Sequence, residues 1–286
     1  MDLSQNVLVL GGASWNTMVH LPEFPTPKPQ TISNARFVEG AGSTGIGKAF
    51  SLKALGYNPT LHITLGDDDH AEKVIKACAD RGISTIADRY QGETAQHLNL
   101  MDMHGGRISI FKTNGPEEVI VDKGQMGREI AKADVIYVNL AASAMALLDL
   151  VAAAEAKIVV DLHDFDPNNH WYDKFIEVAN IVQLSDEKVG DDDRIANELL
   201  VRGSDIVVVT RGKEGAAIYS EDESLVVEPV TAKLKDSNGA GDTFCVSFVQ
   251  NLLSGRSLND AGKIAAKLAS QTVETDEISP LQFHLA

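Results

Sequence analysis

Short apolar runs and amphipathic stretches alternate along most of this chain, the pattern left by strands and crossover helices. Residues 6–10 (NVLVL) have the unbroken apolar character of a buried strand and end in a turn, Gly11-Gly12-Ala13-Ser14. Residues 61–65 (LHITL) repeat that pattern, and 68–82 carry the apolar spacing of a capped helix. From residue 126 the alternation is regular, with helices predicted near 126–133, 143–156, 169–179 and 191–202 and strands at 135–139, 158–162, 181–184 and 206–210. Such spacing predicts a mainly parallel sheet flanked by helices, an α/β fold. Near the end, Phe244, Val246, Phe248, Val249, Leu252 and Leu253 recur at helical spacing.

Two segments break the pattern. Residues 22–29 (PEFPTPKP) hold four prolines in eight positions, which excludes a helix or central strand and leaves an extended connection. Residues 83–121 set short β-like runs between Gly and Asn turns with no helical period, so a small separate sheet is predicted there. A chain of 286 residues with 44% hydrophobic content is long enough for one large core, and we expect a single main domain over 1–286 with that sheet as an addition.

Charge narrows the partners. A net charge of −16 and a pI near 4.8 argue against nucleic acid or an anionic membrane, both of which need clustered Lys and Arg. No apolar run reaches about 18 residues, and MDLSQNVLVL lacks the basic start of a signal peptide, so a cytoplasmic location is expected. Cys78 and Cys245 lie in helix-like contexts far apart in sequence, as packed thiols would.

The chemistry concentrates in Asp236-Ser237-Asn238-Gly239-Ala240-Gly241-Asp242-Thr243-Phe244, which runs straight into the last apolar-periodic segment. Glycines at a helix start let backbone N–H groups approach an anion, aided by the helix dipole. A carboxylate there would repel a phosphate unless it had its own task, and Asp242 can take a proton from an attacking hydroxyl. As a plain helix start, Asp242 would only be a favourable first-turn acid.

This run resembles the D-T-x-G-A-G-D signature of the ribokinase-like (PfkB) carbohydrate kinases, with Ser237 for the usual Thr. Residues 39–56 are similar to the family's N-terminal glycine motif at Gly42, Gly45, Ala49, Leu55 and Gly56, while Ser43 and Gly47 stand where the family has Gly and Asn. The same stretch matches two other motifs by letter. Gly40 to Gly45 fits G-x-G-x-x-G but does not follow the first strand, so the NAD-dependent oxidoreductase that it alone would suggest is a weak rival. Gly42 to Lys48 fits G-x-x-x-x-G-K but lacks the following hydroxyl, Ala49 standing there. Thr210-Arg211-Gly212-Lys213-Glu214-Gly215 resembles the family's turn beside the nucleotide, with Arg211 or Lys213 available to offset phosphate charge.

The resemblance implies a ribokinase-like fold in which elements near 13–38 and 83–121 form a β lid, and transfer of the ATP γ-phosphoryl group to a hydroxyl of a sugar or nucleoside with Mg²⁺, a monovalent cation being compatible. It implies Asp242 as general base, the Gly239, Ala240 and Gly241 amides as anion hole, and Thr210, Gly212, Gly215 and Asn238 beside the nucleotide. Asn16, Gly42, Ser43 and Asn139 are the acceptor candidates, and Asn139 and Asp161 terminate strands as site residues in open sheets do. Ser185-Asp186-Glu187-Lys188 replaces the family's N-x-x-E, so no metal ligand is assigned. Edges of the lid sheet imply a homodimer. Departures at Asn16, Gly47, Ser185 and Lys188 leave a non-catalytic binding protein as the rival of another class.

Overall fold

The computed structural model describes residues 2–284. Strands β1 (Val7–Leu10), β2 (Ser14–Leu21) and β3 (Arg36–Gly42) precede α1 (Thr44–Ala54), and β4 (Thr60–Leu65) leads into α2 (Asp69–Asp80). Three strands follow without an intervening helix, β5 (Ser84–Arg89), β6 (Gln96–Asp102) and β7 (Arg107–Thr113). The regular alternation comes next: α3 (Lys123–Ile130), β8 (Val135–Asn139), α4 (Ala142–Met145), α5 (Leu148–Ala152), β9 (Lys157–Asp161), α6 (Asp173–Ile176), β10 (Ile181–Ser185), α7 (Asp192–Val201) and β11 (Ile206–Thr210). A hairpin of β12 (Ala216–Ser220) and β13 (Ser224–Val227) precedes the two longest helices, α8 (Ala240–Leu253) and α9 (Leu258–Val273).

Among the described residues nine strands form one sheet in the order β13-β12-β11-β10-β9-β8-β1-β4-β5, parallel except for the hairpin strands β12 and β13 at one edge. Both faces are covered. Val7 and Val9 of β1 pack with α1, α8 and α9 on one side, and Leu8 and Leu10 with α3, α4 and α5 on the other. Alternate side chains of a strand point to opposite faces, so a strand apolar at every position is what a doubly covered sheet requires. From β1 the chain first builds outward through β4 and β5, then returns to lay β8 on the other side of β1. The strand order reverses between β1 and β8, and it is beyond the carboxyl ends at such a reversal that open α/β sheets bind their ligands.

A second sheet of four strands, β3-β2-β6-β7, stands apart. It contains two of the segments expected in the lid, with two corrections. Residues 84–89 join the large sheet instead, pairing in parallel with β4 from Thr60↔Ser84 to Leu65↔Arg89. Their β pattern is right, but period alone does not choose a partner strand. The other end of the lid extends further, since β3 continues to Gly42, past the expected limit at 38.

Helices expected at 143–156 and 169–179 are shorter than their periodicity suggests. The first is split into α4 and α5 around Ala146 and Leu147, and the second opens as a 3₁₀ turn, His170–Tyr172, before the single turn of α6. Alanines in the first and Trp171-Tyr172 in the second give good local spacing, yet only a few positions reach the core.

Candidate active site

At the carboxyl ends of the central strands α8 begins. Gly239 caps it in the left-handed region with φ 81°, and no side chain caps its first amides. A Cβ on Gly239 would lie 1.9 Å from the Ile278 carbonyl oxygen, so only glycine fits. Upstream, Asp236 is buried and accepts a hydrogen bond from the Asn238 amide at 2.7 Å, with the His20 imidazole of β2 3.6 Å away. The Ser237 hydroxyl donates to the Gly105 carbonyl at 3.3 Å, and the Arg107 guanidinium reaches the Asn238 side-chain oxygen at 3.5 Å. The small sheet thus touches the glycine loop at three points. Of the three expected anion-hole amides, that of Ala240 donates to the Ser237 carbonyl at 3.3 Å, a long bond that closes the turn.

Asp242 sits in the first turn of α8 and is 7% exposed. Its Oδ1 accepts from Lys48 Nζ at 2.5 Å, and the same ammonium donates to Asp161 Oδ2 at 2.8 Å. Lys48 itself is 0% exposed. It comes from α1, which packs along α8, and Asp161 from the end of β9, so three distant parts of the chain meet at one nitrogen. A buried ammonium without a counter-charge would be expelled or neutralised, and two carboxylates hold this one protonated, its pKa raised against the pull of burial by Asp161 and Asp242.

The two carboxyls are driven in opposite directions. Burial would raise Asp161, but the charges of His163 and Lys48, with hydrogen bonds from Lys48 and from the His163 amide at 3.0 Å, hold it below its ordinary value. Asp242 is pushed up, by burial first and by the like charge of Asp161, with Lys48 opposing. Gln183 of β10 links the pair to the loop by donating to the Gly241 carbonyl at 3.0 Å and toward Asp161 at 3.4 Å. Among the described residues nothing hydrogen-bonds Asp242 Oδ2, and a Cβ on Gly47 would sit 2.1 Å from it.

The other expected residues are placed as follows. Asn16 lies on β2, buried, its Oδ1 accepting from the Ser14 hydroxyl at 2.7 Å and its Nδ2 packed on Gly42, where a Cβ would be 2.1 Å away. Ser43 caps α1 with φ 78°, a left-handed position where the glycine of the related motif is the unstrained residue. Asn139 stitches the reversal point by donating to the Leu10 carbonyl at 3.0 Å, and its buried Oδ1 has no partner among the described residues. Thr210 ends β11 with its hydroxyl on the Leu184 carbonyl at 3.2 Å, and Gly212 and Gly215 bound the 3₁₀ turn that leads into β12. The Arg211 guanidinium donates from Nε to Asp192 at 2.7 Å. The letter matches also resolve: Gly40 to Gly42 are strand residues of the small sheet, and Lys48 is directed at carboxylates.

Residues 4–280 match the pfkB family carbohydrate kinase domain. The chain belongs to the pfkB family. It is 28% identical over 268 residues to the acarbose 7(IV)-phosphotransferase of an Actinoplanes species, covering 90% of this chain and 88% of that one. A nucleoside kinase of Methanothermobacter thermautotrophicus is 25% identical, covering 96% and 92% of the two chains. Among solved structures, the microbiome-derived acarbose kinase Mak1 superposes with a TM-score of 0.83 at 27% identity, covering 95% and 93%. This pfkB protein therefore has the ribokinase-like fold and is a phosphotransferase with an alcohol group as acceptor.

The pfkB family implies Mg²⁺, and among the described residues no group of three or more His, Cys, Asp or Glu side chains could by itself hold a metal ion. In place of N-x-x-E, Ser185 caps a 3₁₀ turn, Asp186–Lys188, and Lys188 pairs with Asp164 at 2.6 Å. A Mg²⁺ in this site would rest chiefly on nucleotide phosphates and water, with at most one or two protein carboxylates, and no protein ligand is assigned to it. Sequence reasoning missed the roles of Lys48 and Gln183. The available signal for Lys48 was a lysine inside a helix whose neighbours Ile46, Ala49 and Leu52 are all core residues, since buried lysines require partners.

Proposed function

We propose that this protein transfers the γ-phosphoryl group of ATP to a hydroxyl of a sugar, with Asp242 as general base and the amides of the 239–241 turn as anion hole. The observation that carries the reading is Asp242 itself, a buried carboxylate at an uncapped helix start with one oxygen bound to Lys48 and the other unbonded. The acceptor oxygen attacks the γ-phosphorus as its O–H bond breaks, and the proton passes to Asp242 Oδ2. The bond from the γ-phosphorus to the β–γ bridging oxygen breaks, and its electron pair leaves with ADP. Charge building on the transferred group faces N–H donors and the positive end of α8. A raised Asp242 pKa favours this role, because a stronger base takes the proton further in the transition state.

A sugar acceptor is preferred because the matching family is one of carbohydrate kinases and both acarbose-kinase relatives, at 28% and 27% identity, are more similar to this chain than the nucleoside kinase at 25%. The nucleoside kinase relative carries the second reading. Asn16 and Gly42 stand at the acceptor wall; Thr210, Gly212, Gly215 and Asn238 border the nucleotide. The small sheet acts as a lid over these strand ends, excluding water that would otherwise accept the phosphoryl group. Phe37 (64% exposed) and Phe111 (60% exposed), with Ile108 and Ile110, leave apolar surface on its outer strands, which supports a homodimer formed through the lid.

ADP release across free sugars, oligosaccharides and nucleosides identifies the acceptor. Asp242→Asn should lower kcat by about 10²–10⁴ while ATP binds equally or more tightly, since a like charge is gone. A kcat within a few-fold of the parent would end the general-base assignment.

A further inference from the structure

We propose that Lys48 is a positioning residue of the phosphoryl transfer: its ammonium fixes one oxygen of Asp242 while the bare Cα of Gly47, the preceding residue of α1, leaves the other oxygen free for the acceptor hydroxyl. The proposal rests on Asp242 being the base. Its evidence is the geometry of one turn of helix. Lys48 Nζ bonds Asp242 Oδ1 at 2.5 Å and Asp161 Oδ2 at 2.8 Å with no solvent exposure, and any side chain at 47 would begin 2.1 Å from Asp242 Oδ2. The two adjacent residues therefore act on the two oxygens of one carboxylate. A glycine inside a helix costs about 1 kcal/mol relative to alanine, and the close approach to Oδ2 accounts for its presence.

Charge counting gives Lys48 a second effect. The ionisable groups facing Asp242 are Lys48 from α1, Asp161 from the end of β9, His163 just beyond it, and Cys245 on α8 itself. With the ammonium in place, two buried carboxylates touch the same nitrogen and both can stay ionised. Without it, two carboxylates in one desolvated space would retain a proton between them, as close carboxyl pairs do, and Asp242 would lose its capacity as a base at neutral pH. A purely structural ion pair has no such dependence, and for the core an apolar side chain of similar volume is often as good or better.

The pH profile of kcat separates these roles. In the purified full-length protein, Lys48→Met should lower kcat at pH 7 by about 10–10²-fold and move the acid limb up by about one pH unit or more, with activity recovering toward alkaline pH and the KM for ATP within about threefold. Adding Asp161→Asn to Lys48→Met should bring the limb back toward its original position, and Asp161→Asn alone should move it below that of the parent. An acid limb unchanged in Lys48→Met, with only the thermal midpoint lowered, would overturn the proposal. Should Lys48→Met fail to fold, the limb of Asp161→Asn decides, and no movement there overturns it equally. Asp242→Asn is run beside these variants. If it retains activity, the general-base reading fails and the proposal falls with it; if it is inactive while the limbs stay fixed, only the role of Lys48 fails.

Discussion

The seam between α1 and α8 and the four-stranded sheet beside it treat water in opposite ways. In the seam, polar groups are buried and most are paired: Lys48 with two carboxylates, and the Thr243 hydroxyl with Ser51 at 2.9 Å and Thr272 at 2.8 Å. In the small sheet, β7 leaves Ile108, Ile110 and Phe111 in solvent, and its contacts with the glycine loop are long ones, at 3.3 and 3.5 Å from Gly105 and Arg107. Enclosed, mutually dependent contacts open only with the whole domain, whereas a thin exposed sheet opens locally. Phosphoryl transfer needs both behaviours, a base that does not move and a cover that does.

Breaking the fixed side should have the largest effect. Gly239→Ala forces a Cβ to within 1.9 Å of a backbone oxygen and requires a left-handed alanine, itself unfavourable by about 1–2 kcal/mol. The start of α8 must shift, and about a 10²-fold loss in kcat is expected from misplaced donors, measured in the ADP-release assay. A near-parental rate would show that the loop is less rigid than the seam behind it. A smaller effect is expected at the exposed side. Ile110→Lys on β7 should convert a dimer to a monomer in sedimentation at micromolar concentration while kcat changes only a few-fold; an unchanged mass would place the dimer contact elsewhere or remove it.

The smallest effect concerns acid. Burial, with the nearby Arg107 charge adding to it, pushes the His97 imidazole of β6 down to about 4 from an ordinary value of 6.5. The folded sheet therefore binds this proton less readily than the unfolded segment does. Stability from neutral His97 is complete above about pH 6.5 and is lost as pH falls toward 4. Hydrogen-exchange protection of residues 96–113, corrected for intrinsic rates, should drop over that interval, and His97→Gln should flatten the dependence.

Most of the large sheet was legible because β1, β8, β9 and β11 each carry three or four consecutive apolar residues, and helical stretches separate the strands from β8 to β11. The strand at 206–210 and the one at 135–139 were read to the residue. The hairpin of β12 and β13 was not read, since its antiparallel edge carries weaker alternation, and residues 84–89 were given to the wrong sheet because partner choice is a tertiary property. The position of Asp242 at a helix start was legible from its glycines. The burial of Lys48 had a local signal in its apolar helix neighbours, but its partners did not, because they lie 113 and 194 positions away in the sequence.

That separation also has a meaning in time. At a synthesis rate of about 5–20 residues per second, Lys48 leaves the ribosome roughly 10–40 s before Asp242, given their 194-residue spacing. Asp161 emerges between them and can offer only one of the two counter-charges. Until the last fifth of the chain has been made, α1 carries an ammonium that belongs inside the domain and has no finished place to go. A nascent N-terminal half that closed around this position would bury an ammonium with one counter-charge of its two, so completion of α8 is what gives Lys48 its full set of partners.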